Sequence, residues 1–80
     1  MPDDVEIRVR RLVADVLGLG ENEVTAATSS QTVEQWDSLA VMNMLMSVEG
    51  EFGVSVPPEE LANFTSVERI VATVKALNPQ

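Results

Sequence analysis

The sequence has no cysteine, no histidine and no tyrosine, and its aromatic residues are one tryptophan and two phenylalanines. Without cysteine there is no disulfide to staple the fold, no thiolate zinc site and no cysteine nucleophile, and nothing is said of redox compartment. Without histidine, Ser–His–Asp chemistry and histidine-ligated metals are excluded as well. No apolar run approaches the ~18 residues of a membrane span. The opening Met1-Pro2-Asp3-Asp4 has none of the basic and apolar stretches of a signal peptide. Eighty residues allow one modest core, burying about 60–65% of the unfolded surface. The expectation is a soluble, cytoplasmic, monomeric single domain over residues 1–80, marginal unless well packed.

Charge of one sign is also missing over most of the chain. Asp3, Asp4 and Glu6 balance Arg8, Arg10 and Arg11, but from Leu12 to Glu68 there are ten acidic residues and no Lys or Arg. The net charge is −8. So one-sided a block repels phosphate backbones and anionic lipid, which makes nucleic acid and membrane poor partners and a basic protein surface a good one. The competing explanation is a solvated face that keeps a small domain soluble.

What is present is helical periodicity. Val5, Val9, Leu12, Val13, Val16 and Leu17 share one face of a helix over about 4–17, with a capping-box-like Asp3-Asp4-Val5-Glu6 before it and Gly18 and Gly20 to stop it. Residues 18–36 lack a period and form a long polar loop, with Leu19, Val24, Val33 and Trp36 as tethers. From Ser38 to Phe52 the pattern returns with two apolar faces, Val41, Met44, Leu45, Val48 and Phe52 on one and Leu39, Met42, Asn43, Met46 and Gly50 on the other. Gly53 ends that helix, Val54 to Pro58 is extended, and a short helical turn anchored by Leu61 and Phe64 begins at Pro58. Thr65-Ser66-Val67-Glu68 is a capping box for a last helix through Val67, Ile70, Val71, Val74 and Leu77, closed by Pro79. The fold class is all-α, three longer helices and one short one, with a long first loop and no strand.

The informative stretch is Trp36-Asp37-Ser38-Leu39, where the polar loop turns into a helix. Asp and Ser are common helix caps, and that alone accounts for both residues. Ser38 as a used hydroxyl is the alternative. A serine nucleophile needs a base, and the chain has no histidine and no lysine between Leu12 and Glu68. Ser38 in that role is therefore a passive acceptor, activated by another enzyme. The carboxylates never take the Asp-x-Asp-x-Asp-Gly spacing of a calcium loop. Glu59-Glu60 fits a helix start without any chemistry.

Asp37-Ser38-Leu39 resembles the attachment motif of the acyl carrier protein family, whose members carry 4′-phosphopantetheine on the serine at the start of the second helix. The resemblance covers nearly the whole chain. Glu51-Phe52-Gly53-Val54 looks like the end of that family's second helix, Val56-Pro57-Pro58-Glu59-Glu60-Leu61 like its third, and Thr65-Ser66-Val67 like the start of its fourth. It implies a four-helix carrier bundle that is not an enzyme. A phosphopantetheinyl transferase would move the arm from coenzyme A onto Ser38, with Asp37 and Leu39 completing the site. The arm's thiol would then hold acyl groups as thioesters for acyl-loading and acyl-transferring enzymes of fatty acid, polyketide or specialised lipid or secondary pathways. The resemblance also allows an acyl chain to fold back between the helices.

Two departures stand out. Gln35 occupies a place where much of the family has glycine, so the loop backbone is expected to differ, with Trp36 either anchoring the loop or touching partners. The family's recognition helix often shows acids outward, whereas here the face reads Leu39, Met42, Asn43 and Met46, with Glu49 and Glu51 only near the end. The expectation is a docking face of Leu39, Met42, Asn43, Met46, Glu49 and Trp36 that is more hydrophobic than usual, unless the third helix or the loop covers it. The alternatives are a peptidyl or aminoacyl carrier, which a glycine pair before Asp37 would have favoured, and a non-carrier helical interaction module in which Ser38 is only a cap.

Overall fold

The computed structural model describes residues 4–77. Asp3 and Pro79, expected to bound the first and last helices, lie outside them. Helix α1 spans Asp4–Leu17, α2 Ser38–Phe52 and α3 Val67–Leu77. A 3-10 helix (Pro58–Asn63) precedes α3, and the long loop contains one 3-10 turn at Glu21–Glu23. Among the described residues there is no strand, only an isolated antiparallel bridge between Ser29 and Ser66. No helix among them is long and apolar enough to cross a membrane.

Helices α1 and α2 each end at a glycine. Gly18 and Gly53 adopt φ of 71° and 65°, the left-handed conformation that glycine enters without steric cost. The Gly53 N–H bonds back to the Glu49 carbonyl. The expected Thr65 cap of α3 is displaced by one residue: Ser66 Oγ accepts the Arg69 N–H at 3.1 Å, and the Ser66 carbonyl accepts that of Ile70. Thr65 is drawn away because its carbonyl accepts the Ser30 N–H at 2.8 Å across the bridge.

Helix α1 packs against both α2 and α3, while the 3-10 helix joins α2 to α3. The core is built from Val9, Val13, Val24, Met44, Val48, Phe64, Val67, Ile70 and Val74, all essentially sealed from solvent. Each such side chain contributes about 1.5–3 kcal/mol of burial. Of the loop tethers, Val24 and Trp36 are buried and Leu19 and Val33 pack against the core from its edge.

The loop is also held by polar residues that carry no hydrophobic signal. Thr28 is buried, its Oγ1 accepts the Thr25 N–H, and its carbonyl accepts that of Val67. Arg10 Nε donates to the Val24 carbonyl. At the far end of α2, the Arg8 guanidinium donates to both the side chain and the carbonyl of Glu51 and lies 4.4 Å from the Phe52 ring centroid. The Glu51 hydrogen bond, more than the charges of Glu51 and Asp4, pushes Arg8 above its ordinary pKa, so the guanidinium of this clamp on α2 stays protonated.

Candidate functional site

The start of α2 is positioned by a buried tryptophan. Trp36 is 4% exposed and its indole Nε1 donates to the Phe64 carbonyl at 2.9 Å. This pins the loop to the corner between the 3-10 helix and α3. The structure buries Trp36 as an anchor, so it is not an exposed member of the face with which the sequence pattern groups it, although it lines a groove together with Met42 of that face. Gln35, at the expected glycine position, needs no special backbone. No non-glycine residue has positive φ among the described residues, and the Gln35 carbonyl accepts the Asp37 N–H at 2.9 Å.

Asp37 is the N-cap, with extended φ and ψ of −109° and −171°, its side chain accepting the Ala40 N–H at 3.0 Å and its carbonyl that of Val41. Ser38 follows as the first helical residue. It is exposed, and its hydroxyl has no hydrogen-bond partner among the described residues. The orphan N–H groups of a helix start are a natural place for a phosphate. Beside Ser38 runs an open groove of about 430 Å³ lined by Trp36, Val41, Met42 and Leu61 together with Ser30 and Thr65. The sequence pattern pointed to none of Ser30, Leu61 and Thr65 as site residues, because they reach Ser38 only through tertiary folding.

The second face of α2 is uncovered. Leu39, Met42 and Met46 are 70%, 48% and 58% exposed, so neither the loop nor the short 3-10 helix, third in the four-helix order, covers them, although Leu61 of that helix flanks Met42 in the Ser38 groove. Asn43 between them is half-buried. Glu49, grouped with this face in sequence, has its carboxylate engaged: Oε2 accepts the Val56 N–H at 2.8 Å and ties the extended connection to α2. That hydrogen bond explains an acid near a helix C-terminus, where the dipole alone disfavours it.

A larger cleft, about 660 Å³, lies among α1, the Glu21 turn and the second half of α2. It shares no residue with the Ser38 groove, and its Arg8 and Arg11 are paired with Glu51 and Glu21. No cluster of three potential metal ligands occurs among the described residues.

A phosphate ester fits this corner. The hydroxyl is accessible, the helix start has unpaired donors, and the adjoining groove is apolar enough for alkyl segments yet has serine and threonine for amides. Asp37 keeps α2 capped whether or not Ser38 is esterified, since its carboxylate bonds Ala40. Asp37 is the cap of this helix and the Ser38 hydroxyl caps nothing; residues 8–74 match the family model described as the phosphopantetheine attachment site, and a match over so much of the chain places this protein in that family, the carrier proteins that hold 4′-phosphopantetheine covalently.

Proposed function

We propose that Ser38 is the residue that holds the arm and that the protein is an acyl carrier, presenting acyl groups to successive enzymes and catalysing nothing itself. The observation that carries this reading is the unbonded, exposed Ser38 hydroxyl at the capped start of α2, beside the Trp36–Met42 groove. On loading, the bond from Ser38 Oγ to the pantetheine-side phosphorus of coenzyme A forms. The pyrophosphate bond breaks, and adenosine 3′,5′-bisphosphate leaves. No base of this chain bonds the hydroxyl among the described residues, so its proton passes to the transferase. When attached, the arm supplies the thiol that this cysteine-free chain lacks. Tethering then gives each partner enzyme an effective concentration of cargo that free diffusion does not provide.

The chain's own contribution is positional. Asp37 holds the helix start, Trp36 fixes that start to Phe64, and Val41, Met42 and Leu61 offer an apolar bed to the arm. Leu39, Met42 and Met46, with Asn43 among them, form the docking face. The partner that suits them has an apolar recess, with basic residues to meet the surrounding acids. An aminoacyl cargo is the second possibility within this family. Nothing around the groove favours it, since Asp37 caps the helix and no acid other than Asp37 lines it.

The test is intact mass after incubation with coenzyme A, magnesium and a broad-specificity phosphopantetheinyl transferase. Wild type gains one arm and Ser38→Ala none. Addition to both proteins places the arm elsewhere, and addition to neither removes Ser38 from the mechanism.

A further inference from the structure

The Ser38 groove does not end at Thr65. A second depression of about 400 Å³, lined by Ser29, Ser30, Gln31, Thr65, Ser66 and Arg69, shares Ser30 and Thr65 with it. The first groove is mostly apolar. Every side chain of the second is polar.

Arg69 is the distinctive member. Arg8 is paired with Asp4 and Glu51, Arg10 with Glu6 and the Val24 carbonyl, and Arg11 with Glu21. Among the described residues the Arg69 guanidinium has no such partner, although its backbone N–H and carbonyl are bonded to Ser66 and Thr73. In a chain of net charge −8, an anion is repelled almost everywhere else. A guanidinium beside hydroxyl and amide groups is suited to a carboxylate, which it can bind through two parallel N–H bonds.

We propose that the Arg69 groove binds the free carboxylate of a half-acid cargo, an acyl group joined to the arm through one carboxyl and ending in another. The inference rests on Ser38 being the attachment residue. The arm then crosses the apolar groove and brings the cargo's far end over Ser30 and Thr65 to Arg69. A neutral acyl group has nothing to hold it there, and an aminoacyl group would bring a cation to a cation.

The test compares wild type, Arg69→Ala and Arg69→Lys, each loaded by a broad-specificity transferase from coenzyme A, glutaryl-coenzyme A or valeryl-coenzyme A. The last two differ in the terminal carboxylate. Loading is verified by intact mass, and amide 1H–15N spectra are then compared. The expected result is that the glutaryl arm perturbs Ser30, Gln31 and Ser66, whereas the valeryl and thiol-only arms do not. Arg69→Ala lowers the bound population about two- to fivefold, as for an exposed ion pair, and Arg69→Lys restores part of it. Arg69 is exposed, so neither variant threatens the core. Equal perturbation by glutaryl and valeryl arms, an unchanged glutaryl pattern in Arg69→Ala, or the same shifts with the thiol-only arm each overturns the proposal while leaving the carrier reading standing. Failure of wild type to load overturns both.

Discussion

Trp36 and Phe64, 28 positions apart in sequence, are joined by a buried hydrogen bond of 2.9 Å from indole nitrogen to backbone carbonyl. Phe64 is completely buried and Trp36 nearly so. The pair holds the loop before Ser38 against the corner where the 3-10 helix meets α3. Trp36→Phe keeps most of the packing but leaves the carbonyl unpaired, and is expected to cost about 1–3 kcal/mol. Trp36→Ala is expected to cost about 3–5 kcal/mol. Urea denaturation measures both. Loss of Trp36 should also slow modification of Ser38 at temperatures where the protein is still folded, because the helix start is then less well fixed.

Glu49 separates a structural role from a docking role. Glu49→Gln keeps an oxygen for the Val56 N–H and should leave stability within about 0.5 kcal/mol. Glu49→Ala removes the acceptor and should cost about 1 kcal/mol. If the carboxylate charge is also read by a basic partner, Glu49→Gln slows transfer from that partner while melting like wild type. Unchanged transfer in Glu49→Gln assigns Glu49 to the loop alone.

The apolar face of α2 predicts the opposite pattern. Leu39, Met42 and Met46 contribute little to the fold, so replacing Leu39 or Met46 by serine should change stability by no more than about 0.5 kcal/mol. Partner transfer should nevertheless fall about five- to thirtyfold for whichever residue lies at the centre of the contact. Thermal melts and steady-state transfer assays on the same preparations decide it. Transfer that survives both substitutions would move docking off this face.

The sequence predicts the long loop and the short helix to be the segments least protected from amide exchange, their apolar anchors being few. The structure refines this. The Ser30 and Val67 N–H groups, bonded to the Thr65 and Thr28 carbonyls, should exchange slowly, while those of Glu34 and Gln35 exchange fast. Hydrogen exchange followed by NMR distinguishes the pinned loop from a uniformly loose one.

What was legible before folding was whatever repeats along the chain. The apolar spacing of Val5 to Leu17, of Val41 to Phe52 and of Val67 to Leu77 marks the three long helices, because a helix face recurs every 3.6 residues. Asp37-Ser38-Leu39 is readable as a cap or as an attachment motif from local order alone. The partners of Glu49 and Glu51, the Ser29–Ser66 bridge and the two grooves flanking Thr65 were not legible. The Glu51 contact, the bridge and the grooves join residues distant in sequence, and although Val56 is only seven residues from Glu49, no local pattern says that its N–H will come within 2.8 Å of that carboxylate. The shift of the α3 cap from Thr65 to Ser66 has the same origin, a long-range bond from Ser30 competing with a local motif.

The central claim, that the arm is borne by Ser38, is tested most directly by locating it. Cleavage after glutamate releases a fragment from Gln35 to Glu49 containing two serines, Ser38 and Ser47. Tandem mass spectrometry of that fragment from transferase-treated protein should place phosphopantetheine on Ser38. An arm on Ser47, on a serine of another fragment, or on none of them would contradict the account.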